Sequence, residues 1–233
     1  MDIKERALLR ENADEHWYYR SKAKALARLL EDVTQRNVLD VGAGSGFFSR
    51  YLLTNCGASE AWCVDSNYAA DSDVVENGKN IHFRRSIGFV DANVVLLMDV
   101  LEHVDDDVGL LRDAMSKAAP QATFLISVPA FQFMWSGHDV FLEHKRRYTL
   151  AALERVVEAA GLRIRQSTYF FAAVFPAAML VRLPRKLFGG AVQPASDMKV
   201  HSRPVNWLLN AVSSAELKLI ARNRWFGLTS AAR

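Results

Sequence analysis

Cysteine is scarce. Cys56 and Cys63 are the two in 233 residues, which excludes a disulfide framework and a four-thiolate zinc site and points to a reducing, cytoplasmic compartment. Glycine (12) and proline (6) are too few for collagen-like or low-complexity sequence. The apolar stretch 169–181 holds 13 residues, short of the ~20 that a membrane-spanning helix needs. The first residues, MDIKERALLRENADEHWYY, are charged and lack an apolar core, so no leader is expected. No internal repeat is visible. With 50% hydrophobic and 24% charged residues, the chain can bury a large core and is not disordered. The net charge of +3 conceals an asymmetry: residues 1–143 hold 14 Lys and Arg against 22 Asp and Glu, residues 144–233 hold 15 against 4. A one-signed field of that kind bears on partners, not on fold.

The periodicities alternate between strand and helix. Residues 16–32 place Ala23, Leu26, Ala27, Leu29 and Leu30 on one helical face. Val38 to Val41 reads as a buried strand ended by Gly42-Ala43-Gly44-Ser45-Gly46, and Phe47 to Leu53 as the helix that follows. Further strands are expected at 61–64, 81–83, 94–98, 123–128 and 163–169. Val104-Asp105-Asp106-Asp107 opens a helix whose positive end favours its carboxylates. Thr149 is a natural N-cap and Gly161 a natural stop for another. Such alternation predicts a parallel sheet with helices on both faces, and ligand sites at the carboxyl ends of its strands.

The glycine turn follows a strand, precedes a helix, and is answered by Asp65 at the end of the next strand, 19 residues past Gly46. Glycines there let a ligand approach the backbone, and the carboxylate can accept from two ribose hydroxyls. Phe47 and Phe48 stand where a dinucleotide motif needs its third glycine, and no G-K-[ST] is present. The stretches VLDVGAGSGFFS, VDSN and DVLEHV resemble class I S-adenosylmethionine-dependent methyltransferases over roughly residues 16–169. The resemblance implies a Rossmann-like, seven-stranded, mostly parallel sheet and S-adenosylmethionine as cofactor. By it, Asp40, Gly42, Gly44 and Gly46 wrap the methionine part, Asp65 and Ser66 meet the ribose, Ser86 and Ile87 flank the adenine, and Asp99 sits beside the cofactor. The HWYYR segment resembles a lid, which implies that Trp17 and Tyr18 cover the cofactor and that Arg20 pairs with its carboxylate. The alternative is an amphipathic helix that only packs on the sheet.

For the acceptor, Asp99, Glu102 and His103 are spaced to share one helical face, and the loop after the fifth strand adds His138, Asp139 and His144. His138 or His103 can serve as general base, and Glu102 joins them as a catalytic candidate. His138 is favoured because Phe131, Phe133 and Trp135 beside it can line an acceptor pocket. The same residues resemble those of small-RNA 3′-end methyltransferases and ubiquinone-pathway O-methyltransferases, which implies Asp99, Glu102, His103 and His138 as candidate ligands of a divalent metal. His144, Arg146, Arg147 and Tyr148 form a basic knot that either holds an anion or is solvated.

The expected organisation is a lid helix at 1–33, a core at 34–169, a basic apolar helical insertion at 170–225 and a last strand at 226–233. The insertion carries eight Lys and Arg against two Asp and Glu. It joins an uncharged apolar segment broken by Pro176, a soft linker from Gly189 to Pro204, and an amphipathic helix with Trp207, Leu208, Leu209 and Val212. That composition suits an anionic membrane surface contacted peripherally, a cover over an apolar acceptor tail, or a dimer face. Its aromatics run in consecutive apolar blocks, which disfavours nucleic acid. The expected function is methylation, on oxygen, of a small or lipid-linked acceptor; a metal-dependent RNA methyltransferase and a non-catalytic accessory protein are the alternatives.

Overall fold

The computed structural model describes residues 3–9, 15–34, 37–188 and 193–233. Residues 189–192 of the expected linker lie outside them. Its centre is a run of apolar strands: β1 (Asn37–Val41), β2 (Glu60–Val64), β5 (Val94–Met98) and β6 (Thr123–Pro129). Successive side chains point to opposite faces. Val38, Leu96 and Leu125 therefore join one core, and Leu39, Val95, Leu97 and Ile126 the other. Burial on both faces is why β5 reads as five consecutive apolar residues rather than as an alternation. The first face is covered by α2 (Trp17–Leu29) and α3 (Phe47–Asn55), the second by α4 (Asp107–Lys117) and α6 (Leu150–Ala160).

The sheet order is β3-β4-β2-β1-β5-β6-β8-β7. The strands β4, β2, β1, β5 and β6 are parallel; β3 and β8 run antiparallel to their neighbours. The chain leaves β1 in one direction and returns at β5 on its other side, so the crevice of a doubly wound sheet falls between their ends.

Among the described residues the sheet has eight strands where seven are expected. The addition is β3 (Ser72–Glu76), hairpinned to β4 (Lys79–Arg84) through Asn77 and Gly78, both at positive φ (52° and 73°). Asn-Gly is the sequence such a two-residue turn favours. The sixth expected strand is shorter and later, β7 (Ser167–Phe170), and the last, β8 (Thr229–Ala232), lies between β6 and β7. Thr149 and Gly161 bound α6 as expected: Thr149 Oγ1 accepts from Ala152 N–H, and Gly161 is left-handed at φ 101°. Asp106 caps α4, so that helix starts three residues later than the apolar pattern suggests.

Three helices lie against this body. In α1 (Ile3–Leu9), Leu9 is buried in the first core. Pro176 does not interrupt α7 (Phe175–Phe188); it occupies the first turn, where a missing N–H costs nothing. The helix α8 (Arg203–Glu216) docks on α2 through polar contacts: Trp17 N–H donates to Asn206 Oδ1 (2.8 Å), and Lys24 Nζ donates to Asn210 Oδ1 (3.1 Å) and Ser214 Oγ (3.0 Å). A short helix not foreseen, α5 (Gly137–Phe141), follows β6, closed by a capping box between Ser136 and Asp139.

Candidate active site

The turn after β1 is shaped for close backbone approach. Gly42, Gly44 and Gly46 hold φ of 68°, 53° and 70°, a region L side chains avoid. A Cβ on Gly42 would stand 2.6 Å from Val100 Cγ2. Gly42 N–H and Ala43 N–H both donate to Val64 O (2.8 and 3.1 Å), locking the turn to β2. Asp65 accepts from Gly44 N–H at Oδ2 (3.0 Å) and from Asn67 N–H at Oδ1 (2.9 Å). Beneath the turn, buried Asp40 accepts from the Ser49 hydroxyl (2.7 Å), and burial pushes its carboxyl up to about 6.

A cavity of about 1450 Å³ begins at this turn, larger than the ~300–1,000 Å³ usual for one small ligand. Gly42, Gly44, Asp65, Ser66 and Ser86 line its first part, with Trp17 and Tyr18 of α2 beside them. Asp99, Glu102, His103 and His144 also line it, as do apolar Ala178 and Val181 of α7 and Leu209 of α8, with Arg182, Asp197 and Lys199 among the polar lining. Asp40 and Gly46 are not part of the lining; they shape the turn from behind it. Ile87 packs into the second core, so only Ser86 of that pair faces the cavity.

Arg20 is exposed and outside the cavity. The helical turn carries it outward, and the cation that α2 turns inward is Lys22, 2% exposed, whose ammonium binds the Asp99 carboxylate. Burial alone would lower Lys22, but the Asp99 charge outweighs it and raises it; the ammonium in turn holds Asp99 below the usual carboxylate range against its own burial.

Asp99, Glu102 and His103 do not share one helical turn. Asp99 adopts φ 59° with its N–H on Ser127 O (2.9 Å), and a separate 3-10 turn spans Leu101–His103. Asp99 is thereby given to Lys22, and Glu102 and His103 are given to His144. One ligand atom from each of Glu102, His103 and His144 lies within 4.8 Å of the others. Glu102 is fully buried, and among the described residues neither of its carboxylate oxygens, nor His144 Nε2, has a hydrogen-bond partner. Each such orphan costs about 1–3 kcal/mol if nothing binds it. Burial, then the Asp99 charge, hold the Glu102 carboxyl well above its ordinary value. These three residues fit a divalent ion; Asp99 and His138 are engaged elsewhere.

His138 does not have the geometry of a general base. Its Nδ1 accepts from Asp197 N–H (3.2 Å), its Nε2 faces Glu5 Oε1 at 3.3 Å, and burial lowers its pKa to about 4. Glu5, on α1, also accepts from the Tyr19 hydroxyl. His138 itself lines the cavity, but the aromatic loop residues do not: Phe131 stacks on Tyr169 (5.0 Å between centroids) and tilts against Phe175 (5.6 Å). The basic knot makes its hydrogen bonds within the fold. Arg146 donates to Val104 O and Asp105 O, the Tyr148 hydroxyl to Asp107 (2.8 Å), and Arg147 to buried Asp139 through Nε (2.7 Å) and Nη2 (2.9 Å). Lys22, Glu5 and the inward role of His144 carried no local signal in the sequence.

A family model described as a methyltransferase domain matches residues 15–167. A Mycolicibacterium smegmatis protein described as an S-adenosylmethionine-dependent methyltransferase is 25% identical over 228 residues, covering 94% of this chain and 84% of that one. Among solved structures, a Haloferax volcanii complex of the Trm112 methyltransferase activator with a chain described as a methyltransferase matches at TM-score 0.55 and 18% identity, covering 81% of this chain and 95% of that one. An Archaeoglobus fulgidus methyltransferase matches at 0.49 and 16%, covering 92% and 95%.

Proposed function

The chain belongs to this methyltransferase family and is an S-adenosylmethionine-dependent methyltransferase, and we propose that it methylates an oxygen of a small or lipid-linked acceptor. The observation that carries the reading is that one cavity is lined together by the glycine turn, by Glu102, His103 and His144, and by apolar residues of α7 and α8. The turn and Asp65 hold the adenosyl part, with Trp17 over it. The acceptor hydroxyl lies toward Glu102 and its apolar portion toward Ala178, Val181 and Leu209. The transfer is an in-line displacement at a sulfonium carbon, so the main task of these residues is to align two reactants and exclude water; alignment of this kind is worth roughly 7–11 kcal/mol of the barrier.

Glu102, His103 and His144 would hold a divalent ion, which when bound lowers the pKa of an acceptor hydroxyl. The outer faces of the last helices complete the reading. Leu180 on α7, and Val205, Leu208 and Val212 on α8, are exposed, as are Trp207 and Trp225, within a segment of net charge +6. No described helix is long and apolar enough to cross a membrane, so the contact proposed is peripheral, with an anionic lipid surface.

Calorimetry tests the cofactor half. Wild-type protein binds S-adenosylmethionine and its demethylated product, and Asp65→Ala loses about 1–3 kcal/mol of that affinity, the scale of a charged hydrogen bond. No heat from folded wild-type protein with either compound would end the proposal.

A further inference from the structure

We infer that Asp139 is a positioning residue, which fixes His144 in the tautomer that aims the Nε2 lone pair at Glu102 and His103. The inference rests on the reading of those three residues as a metal-holding group, and adds the element that orients one of them.

The chemistry follows from the donors around one carboxylate. Asp139 is fully buried, and its Oδ1 accepts from Arg147 Nε (2.7 Å) and meets His144 Nδ1 at 3.0 Å. Its Oδ2 accepts from Arg147 Nη2 (2.9 Å) and Ser136 N–H (2.7 Å). A guanidinium thus grips both oxygens and a backbone N–H fills one of them, and a carboxylate paired in that way accepts and does not donate. The proton between the two groups therefore belongs to His144 Nδ1. A neutral imidazole carries one N–H, so its Nε2 is the bare acceptor, and this is the atom 4.0 Å from Glu102 Oε1 on the cavity side. Metal-bound imidazoles are commonly held in this way by a carboxylate behind them.

The backbone makes the aim rigid. His144 N–H donates to Asp139 O (2.9 Å), and Glu143 turns the chain at φ 60°. Arg147 is itself anchored by Nη1 on Ala130 O (3.0 Å) and by its own N–H on Gln132 Oε1 (2.9 Å). An Arg147–Asp139 pair serving the fold alone would need no imidazole, and would not leave a buried Nε2 without a partner beside a Glu102 carboxylate in the same condition. His138 is the internal contrast. It lies six residues earlier, on α5, and its Nδ1 accepts a backbone N–H, so its proton sits on Nε2.

Two measurements test this. Long-range proton–nitrogen NMR on the full wild-type chain, without metal and near neutral pH, should report His144 as the Nδ1–H tautomer and His138 as Nε2–H. An Nε2–H signature for His144 overturns the inference whatever any variant does. Cobalt(II) is then titrated into chelator-treated protein by calorimetry and visible absorption. Wild type binds one ion, His144→Gln loses at least 100-fold, and Asp139→Asn loses 10–100-fold with a shifted cobalt spectrum, while each keeps its affinity for S-adenosylmethionine. Wild-type cobalt affinity and spectrum in Asp139→Asn overturn the positioning role. Cofactor binding without cobalt binding in the wild type sinks the metal reading and this inference with it, and leaves the methyltransferase assignment standing.

Discussion

Lys22→Met removes an ammonium from beneath the cavity while keeping an unbranched apolar stem. Lys22 is 2% exposed and Asp99 30%, so the variant leaves a carboxylate mostly out of water, near a second buried acid, Glu102. Breaking a buried ion pair by deleting one partner costs about 3–5 kcal/mol. Asp99 borders the cavity and keeps some hydration, which sets the expectation near the lower end, about 3 kcal/mol. Urea unfolding at pH 7 reads it as a lowered midpoint with an unchanged m-value. The pH dependence carries a sign. Asp99 is depressed by its partner, so its share of the stability is present above the ordinary carboxylate value of ~3.9 and lost as pH falls through its folded value. Lys22 is raised, so its share is present below ~10.4 and lost as pH climbs through its folded value. The gap between wild type and variant is therefore widest from about pH 5 to 9 and narrows on both sides. The double variant Lys22→Met, Asp99→Asn should regain most of the loss, because the remaining group is neutral. A single-variant loss under about 1 kcal/mol, the level of an exposed pair, or a double variant no better than the single, would refute the argument.

Three further outcomes are expected. Gly42→Ala places a Cβ 2.6 Å from Val100 at φ 68°, whereas Gly57→Ala, at φ 80°, meets nothing within 4 Å; the second should cost only the ~1–2 kcal/mol of left-handed backbone, and the first more than that together with cofactor affinity, so equal melting shifts would show that Val100 does not close the turn. Asp40 titrates near 6 when folded, so the stability of its neutral form is present below ~3.9 and lost as pH rises through about 6, roughly 2–3 kcal/mol; Asp40→Asn should lack that decline, and melting curves with the same slope between pH 4 and 7 in both proteins would reject it. The protein should float with anionic vesicles in a salt-sensitive manner, and Leu208→Glu should abolish flotation; co-flotation that ignores both salt and Leu208→Glu would refute docking through α8.

What could be read from the sequence was local. The strand, glycine turn and Asp65 lie within 28 residues of one another, and hydrogen bonds such as Gly44 N–H to Asp65 follow from neighbouring parallel strands. The hairpin of β3 was equally local in its Asn77-Gly78 turn, yet its strand, Ser72–Glu76, has an exposed, acidic pattern that hides the period of two. The acceptor end is different in kind. Lys22 meets Asp99 across 77 residues, and the Asp197 amide that occupies His138 comes from 59 residues away. Two histidines six residues apart thus receive opposite assignments from partners that spacing cannot reveal. Residue types marked the chemistry available around Glu102, but the choice between His138 and His144, and between Arg20 and Lys22, belongs to packing. The same logic separates the two acids: Asp99 is held by an ammonium from α2 and supports the cavity electrostatically, whereas among the described residues neither Glu102 oxygen has a hydrogen-bond partner.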